Sequence, residues 1–206
     1  HPVAHSFPTR RSSDLASTGL GAVPEARRQT TYDVLLGDTP LLDVVQSTNI
    51  ENVDLAPATT DLSSADIELV SNGRRSFRLR NALRPSSLSG RGYSHVFIDC
   101  PPSLNLLTVN AMVAAHSILV PLQSEFFALE GLSQLMMTLR EVRQSANTRL
   151  RIEGVVLTMF DIRNRLSQQV EEDAREALGD LVFRTRIPRN VRISEAPRSE
   201  EHTSEL

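Results

Sequence analysis

The sequence predicts an α/β fold in which helices cover a mostly parallel sheet, and three observations lead to this expectation. Short apolar segments rich in β-branched residues recur along the chain. Segments with apolar residues near i, i+3 and i+4 separate them, a spacing typical of helices packed on a core. Of the 206 residues, 40% are hydrophobic and 23% are charged, as in globular domains. Strands that alternate with helices pair in parallel through right-handed crossovers, which gives a layered, doubly wound sheet.

The individual elements follow from these patterns in chain order. The predicted strands are 53–56, 95–98, 117–122, 152–159 and 181–184. The predicted helices are 74–84, 104–115, 129–146 and 166–178. Two of the strands, which contain VFI and ILVPL, are apolar on both faces, so we expect them at the centre of the sheet. The Ser- and Gly-rich stretch 85–92 is predicted to be a loop before a strand.

The composition excludes several classes of protein. No stretch approaches the ~18 consecutive apolar residues of a membrane span, and the amino terminus lacks the apolar segment of a secretory signal. Cys100 is the only cysteine, which rules out an intrachain disulfide and a cysteine cluster for zinc or iron–sulfur ligation. We therefore expect a cytoplasmic protein without a membrane partner.

All 22 basic residues are arginine, and their balance with acidic residues changes along the chain. Residues 16–139 contain 8 Arg against 12 Asp and Glu, a balance of -4. Residues 140–192 contain 11 Arg against 8 acidic residues, a balance of +3. The second part is a candidate basic face for nucleic acid, although such a shift is also typical of an ordinary solvated surface.

The two ends of the chain differ from the rest. Residues 6–15 (SFPTRRSSDL) and 198–206 (RSEEHTSEL) show no apolar periodicity and are predicted to lie outside the fold. Both stretches resemble the conceptual translation of common sequencing-library adapters. We therefore expect non-native tails at 1–15 and 198–206 around a partial domain at 16–197, with natural flexible tails as the alternative.

The first candidate site residue is an aspartate at a predicted strand end. In a parallel sheet, ligands bind beyond the carboxyl ends of the strands. Asp99 directly follows strand 95–98, and Pro101 and Pro102 then stop the strand before the next helix. A carboxylate in this position commonly holds Mg²⁺ through water in nucleoside-triphosphate enzymes. An aspartate that caps a helix or closes a turn fits these residues equally well.

Two further loops follow strands at the same expected edge. Residues 158–165 carry two arginines, and residues 187–197 carry two more beside Asn190, bracketed by Pro188 and Pro197. Loops that contain Pro and Asn can offer backbone groups to a purine ring, and arginines bind phosphate oxygens. For each loop taken alone, a solvated surface loop is the commoner explanation.

Six segments of the chain form a series with a specific order and spacing. They are ASTGLG (16–21), PATTDLSSADIEL (57–69), FIDCPPSLNLLTVNA (97–111), VPLQSEFFALEGLSQL (120–135), EGVVLTMFDIR (153–163) and IPRNVRISEAP (187–197). Together they resemble the ParA/Soj family of chromosome and plasmid partition ATPases, which belongs with MinD to the P-loop class. The resemblance implies a doubly wound P-loop NTPase-type fold and an ATP-dependent role in chromosome or plasmid segregation.

The resemblance also implies roles for five residues. It makes Asp99 the Walker B acid, which helps to hold Mg²⁺ through water, and it makes Pro188 and Asn190 contacts of the adenine of ATP. Arg163 and Arg192 match arginines of non-specific DNA binding, which would be strongly salt-dependent because phosphate contacts release counterions. It further implies a homodimer formed with ATP, a ParB-type partner protein and association with the nucleoid.

The chain departs from the family's pattern at the phosphate-binding loop. A P-loop needs a Gly-rich turn that ends in Lys and Ser or Thr, because backbone N–H groups and the lysine hold the phosphates. The sequence contains no lysine, and neither the family's first strand nor its P-loop is found in it. We therefore expect that residues 1–206 do not hydrolyse ATP. Two alternatives are a MinD-like regulatory ATPase and a non-catalytic interaction module that keeps the dimer and DNA surfaces.

Overall fold

The computed structural model describes residues 2–4, 15–22, 28–64, 68, 74–84, 88, 91–101, 103–125 and 128–190. The strands in these ranges are β1 (Pro2–Ala4), β2 (Gln46–Ser47), β3 (Asp54–Leu55), β4 (Ser117–Gln123), β5 (Arg151–Phe160) and β6 (Val182–Pro188). The helices are α1 (Leu15–Gly19), α2 (Thr31–Leu36), α3 (Leu41–Val44), α4 (Arg78–Ala82), α5 (Leu106–Ala114), α6 (Ala128–Ser145) and α7 (Arg165–Leu178). Short 3-10 turns occupy Thr60–Ser64, Arg75–Phe77 and Gly179–Leu181.

The main sheet has four parallel strands in the order β1-β4-β5-β6. β4 and β5 pair along the whole of β4, from Ser117 opposite Arg151 to Gln123 opposite Thr158. α6 connects β4 to β5, and α7 connects β5 to β6, so both steps are strand–helix–strand crossovers. This confirms the α/β class and the parallel sheet that the alternating patterns predict.

The core forms where the helices cover the sheet. α6 buries four residues that the helical period brings to one side, namely Leu132, Leu135, Leu139 and Val142. They join the apolar residues of α5 and the buried residues of β4 and β5 in one cluster. Val155 and Leu157 of β5 are completely inaccessible to solvent. β4 and β5 are therefore the central strands of the described sheet. Their buried side chains hold the carboxyl ends of both strands in place.

Asparagine side chains close both ends of α5. The Oδ1 atom of Asn105 accepts a hydrogen bond from the N–H of Thr108 at 3.2 Å. At the other end, Nδ2 of Asn147 lies 2.9 Å from the carbonyl oxygen of Met112 and 2.8 Å from that of Ala115, and it also reaches the carbonyl oxygen of Val113. Carbonyl groups that the helix cannot satisfy thus find a donor in the loop before β5.

The first third of the chain forms a smaller layer with its own apolar cluster around Val34, Leu41 and Val44. A reciprocal capping box starts α2, because Thr30 and Asp33 each accept from the other's backbone N–H. Arg78 of α4 closes the other end of α2. Its Nε atom donates to the carbonyl oxygen of Leu35 at 2.7 Å, and its NH1 atom lies 2.7 Å from Asp38.

Two predicted strands differ in the structure. The strand expected at 53–56 is reduced to Asp54–Leu55, which pairs antiparallel with Gln46–Ser47 in a separate two-stranded sheet. The strand expected at 95–98, and with it the central position of VFI, is wrong: these residues are not assigned to a strand, and Phe97 is 67% exposed. A strand needs a neighbour for its backbone groups, and no described strand pairs with 95–98.

Three of the four predicted helices are present in the structure with nearly the predicted bounds. Those at 104–115, 129–146 and 166–178 are confirmed to within two residues at each end. The helix predicted at 74–84 begins as the 3-10 turn and becomes the five-residue α4. Three helices were not predicted, α1, α2 and α3, which have five, six and four residues and are too short to show a helical period.

The ends of the chain are described in part. Of residues 1–15, predicted to be a non-native tail, Pro2–Ala4 pair with 117–119 of β4, and Leu15 begins α1. The origin of this stretch stays a prediction. Residues 198–206 lie outside the described residues. Within the part of the chain that the structure describes, no helix combines the length and the apolar character needed to cross a membrane.

Candidate functional site

The carboxyl ends of β4, β5 and β6 lie at one edge of the main sheet because the three strands are parallel. Two backbone hydrogen bonds join the residues beyond these ends. The N–H of Ser124 donates to the carbonyl oxygen of Thr158 at 3.3 Å, and the N–H of Arg189 donates to that of Phe160 at 3.1 Å. The loops that follow β5 and β6 therefore start side by side, at the edge where ligands bind in such sheets.

The pairing of β5 with β6 becomes irregular close to this edge. Leu157 lies opposite Arg186 and Phe160 lies opposite Pro188, so β5 has one residue more than β6 between the two pairs. Met159 lies in this stretch with a φ of 52°, in the left-handed region that residues other than glycine rarely adopt. Such a bulge bends the strand, and here it does so directly before the loop that carries Arg163.

Pro188 is the last residue of β6 and Asn190 follows two residues later, and both are exposed. Their position at the strand end is the one expected for residues that contact a ligand from a loop. Arg192 lies outside the described residues. The predicted base contacts are therefore accessible at the carboxyl edge, whereas the structure does not describe the second predicted DNA-binding arginine.

A buried carboxylate joins α7 to this part of β6. Glu171 has a side chain that is only 11% exposed, and its Oε1 atom accepts from Nε of Arg175 at 3.0 Å and from Nε of Arg186 at 3.0 Å. The NH2 atom of Arg186 is 2.8 Å from the same oxygen. The guanidinium of Arg186 also lies over the ring of Phe160, 4.8 Å from its centroid, in a cation–π contact.

Asp99 ends an extended segment with one face toward the core. Cys100 is 6% exposed and belongs to the main core, whereas Asp99 is exposed. Partial shielding of the Asp99 carboxyl group by the surrounding protein raises its pKa, and a hydrogen bond from the backbone N–H of Cys100 lowers it in part. A nearby cation would favour the charged form again. That Asp99 shares one cleft with Pro188 and Asn190 stays a prediction.

The loop that carries Arg163 is held by three local hydrogen bonds. The N–H of Arg163 donates to Oδ1 of Asp161 at 2.9 Å. Asn164 caps α7 by accepting from the N–H of Leu166 at 2.9 Å, and Nε2 of Gln168 donates to the carbonyl oxygen of Ile162 at 2.7 Å. These bonds fix the backbone and leave the side chain of Arg163 exposed. An arginine on a rigid, exposed loop is suited to contact phosphate groups.

The described residues fit one part of a nucleotide–magnesium site better than another. Asp99 supplies a carboxylate, and the hydroxyl of Ser124 at the end of β4 is buried without a hydrogen-bond partner. The described ranges contain no group of three or more His, Cys, Asp or Glu that could hold a metal ion. The sequence has no lysine for the phosphates. The carboxylate of Asp99 and the hydroxyl of Ser124 are groups of the kind that hold Mg²⁺. Which residues meet the base and the phosphates stays a prediction.

Sequence reasoning did not identify Glu171, Arg186 and Phe160 as part of this edge. The spacing of Glu171 and Arg175 is readable as an i, i+4 pair on a helix. The approach of Arg186 to both Glu171 and Phe160 depends on how β6 packs against α7, which no local pattern reveals.

A parallel sheet with flanking helices and a polar carboxyl edge defines an open α/β protein of the kind that binds ligands beyond its strand ends. A family described as an AAA domain matches residues 13–152. The chain is 57% identical over 181 residues to the chromosome partitioning protein ParA of Caulobacter vibrioides, covering 88% of this chain and 67% of that one. It is 47% identical over 182 residues to the sporulation initiation inhibitor protein Soj of Bacillus subtilis, with coverages of 88% and 71%. The chain belongs to the ParA/Soj family of chromosome partitioning proteins.

A solved structure shows the fold with ligands in place. Cobyrinic acid a,c-diamide synthase from Mycobacterium smegmatis, with bound ADP and magnesium, matches with a TM-score of 0.77 and 33% identity. The match covers 96% of this chain and 78% of that chain. Adenine nucleotide and magnesium thus bind to a protein of this architecture.

Proposed function

We propose that this chain is the greater part of a partition ATPase, which segregates chromosomes or plasmids by forming an ATP-dependent homodimer that binds DNA without sequence preference. The observation that carries the proposal is 57% identity to a chromosome partitioning protein over most of the chain. The juxtaposition of the loops after β5 and β6, through the bond from Arg189 to Phe160, supports it. A ParB-type protein is the proposed partner, and the nucleoid is the proposed location.

Each proposed role follows from the chemistry of the residue. Asp99 would hold Mg²⁺ through water as the Walker B acid, and it gains from the cation because its surroundings disfavour its charge. Pro188 and Asn190 would contact the adenine ring. Arg163 and Arg192 would contact DNA phosphates, which give affinity without reading the bases.

Residues 1–206 are also proposed not to hydrolyse ATP. The outer phosphates carry most of the charge of ATP, and in P-loop enzymes a lysine and a backbone cradle neutralise it. The sequence offers no lysine for this purpose. An arginine cannot simply replace it, because the planar guanidinium differs in shape and hydration from the compact ammonium group.

The test compares this chain with a completed chain, in which the part of the Caulobacter relative that lies before its match to this chain is joined to Ala16. Magnesium-dependent ATP turnover is measured for both. We expect turnover by the completed chain and none above background by residues 1–206. Turnover by residues 1–206 would contradict the proposed loss of activity. No turnover and no nucleotide binding by the correctly folded completed chain would favour the non-catalytic interaction module.

A further inference from the structure

The edge strand β6 has little to hold it in place near the proposed base contacts. It is the last strand of the main sheet in the described part of the chain, and only Val182 of its seven residues is buried. Its pairing with β5 shifts register twice, once before Leu157 and once before Phe160. Edge strands with interrupted pairing open more readily than central strands, because fewer buried contacts resist the opening. The residues that follow β6 therefore need another source of order.

Glu171 and its two arginines supply such an order at both ends of β6. Arg175 donates to the carbonyl oxygens of the first two residues of the strand, at 3.2 and 3.1 Å. Arg186 binds the same oxygen of Glu171 from near the other end, and its guanidinium covers the ring of Phe160. The buried carboxylate of Glu171 on α7 thus binds two arginines, one of which contacts the beginning of β6 while the other lies near its end.

The contact between Arg186 and Phe160 lies next to the segment that contains Pro188 and Asn190. Side chains two residues apart on a strand lie on the same face, so Arg186 and Pro188 belong to one side of β6. Pro188 lies opposite Phe160 in the sheet, and the next residue, Arg189, donates its N–H to the carbonyl oxygen of Phe160. Phe160 therefore contacts the side chain of Arg186 and the backbone N–H of Arg189, which precede and follow Pro188 in the sequence.

We infer that Arg186, anchored by Glu171, is a positioning residue that fixes the segment 188–190 for contact with the adenine base. This inference rests on the proposed function, because it assumes that Pro188 and Asn190 contact adenine. The side chain of Glu171 is 11% exposed and that of Arg186 is 40% exposed, so the ion pair is half-buried. Desolvation offsets part of the attraction in such a pair, and its main effect is then to favour one geometry. Arg175 and Arg186 both donate to the same oxygen of Glu171, so Glu171 fixes the positions of the two arginines relative to each other.

The first experiment measures amide hydrogen exchange of Arg189 by NMR in residues 1–206. In Arg186→Gln and in Glu171→Gln we expect the amide to exchange at least about tenfold faster, the factor for losing a hydrogen bond to a charged group. Arg186→Lys keeps the charge but loses the planar fork, and we expect an intermediate rate. Arg184→Gln is the matched control, because exposed Arg184 lies on the same strand and makes no hydrogen bond or ion pair with the described residues.

The amide of Val155, at the centre of β5, reports global stability in the same spectra. Unchanged exchange at Arg189 in Arg186→Gln would overturn the inference. Equal acceleration at Arg189 and Val155 would also overturn it, because the contact would then only stabilise the fold. Acceleration at Arg189 alone is the expected result.

The second experiment separates base contact from phosphate contact in the completed chain. Arg186→Gln should weaken binding of ATP about tenfold and leave binding of inorganic triphosphate unchanged, since triphosphate has no base to position. Equal loss for both ligands would contradict a positioning role. Asn190→Ala tests the underlying assumption: if it leaves ATP affinity unchanged while Arg186→Gln still accelerates exchange at Arg189, the proposed base contact fails and the positioning contact stands.

Discussion

The phenyl ring of Phe183 on β6 lies directly against the backbone of Gly154 on β5, in the space that a side chain at position 154 would occupy. Gly154 is buried, whereas Phe183 is 36% exposed. Gly154→Ala should therefore lower the free energy of unfolding by about 1–3 kcal/mol, the usual cost of overpacking, in urea denaturation. The ring lies on the edge strand and can give way in part, which favours the lower end of this range.

Two controls make the Gly154 prediction specific. Gly131 lies in α6 with open space where a Cβ would be, so Gly131→Ala should stabilise the protein by about 0.4–1 kcal/mol. In a Phe183→Ala background the ring is gone, and Gly154→Ala should then cost nothing measurable. An equal cost with and without the ring would mean that the strand backbone, and not Phe183, requires the glycine.

The thiol of Cys100 should be unreactive in the folded protein. Burial, together with the charge of Asp99, raises the pKa of the Cys100 thiol from 9.0 to about 12, so almost no reactive thiolate exists at pH 8. Labelling by a thiol reagent should therefore be slow and should accelerate on addition of urea. Rapid labelling under native conditions would contradict the buried position of this side chain.

The same pKa predicts how stability changes in alkaline solution. A group whose pKa is higher in the folded state binds its proton more tightly there, so the folded state loses stability as pH rises from about 9 toward 12. Cys100→Ala removes this contribution. We expect the difference in unfolding free energy between the two proteins to shift in favour of Cys100→Ala over that interval, and to be constant below it.

Asn147 should make a larger contribution to stability than its loop position suggests. Its Nδ2 atom donates to carbonyl oxygens at the end of α5, and without it these oxygens lose their partner. Asn147→Ala should lower the free energy of unfolding by about 1–3 kcal/mol. Thr148→Ala, at the exposed neighbouring position, should change it by less than about 0.5 kcal/mol. Similar values for both substitutions would remove the capping role of Asn147.

Asp99 should lower the stability of the protein at neutral pH. Its pKa is raised mainly because partial shielding by the surrounding protein disfavours its charge, so its contribution is favourable at low pH and is lost as pH rises through its folded pKa. Asp99→Asn should therefore raise the unfolding free energy at pH 7 and leave it unchanged at pH 3. In the completed chain the same substitution should abolish magnesium-dependent ATP turnover. Unchanged turnover in the completed chain would argue against the Walker B assignment, and unchanged stability at pH 7 would argue against the shift in pKa.

The DNA-binding prediction concerns the salt dependence of the completed chain. Replacing Arg163 and Arg192 by Ala should weaken ATP-dependent DNA binding and lower the slope of log affinity against log salt by about 2, since each phosphate contact contributes roughly 0.9. Arg140→Ala, on the exposed side of α6, is the control and should leave the slope unchanged. An unaltered slope in the double variant would place the DNA contacts elsewhere.

Much of the fold was predictable because strong local patterns coincide with tertiary packing. β4, β5 and α6 are long and have clear apolar periods, so their predicted bounds agree with the structure to within two residues. The segment 95–98 has an equally apolar sequence, yet it does not form a strand. A strand depends on a partner that is remote in sequence, and no pattern within four residues reports whether that partner is present.

The candidate site was likewise predictable from the sequence only in part. Sequence alone determined which residue types follow the predicted strands, and it made Asp99, Arg163, Pro188 and Asn190 candidates because parallel strands end at a common edge. Only the tertiary structure decided that Phe160 lies between Arg186 and the backbone of Arg189, and that Glu171 anchors the arginine from α7. Such contacts depend on the register of β6 and the packing of α7 against it, and side chains far apart in sequence become neighbours only when both are set.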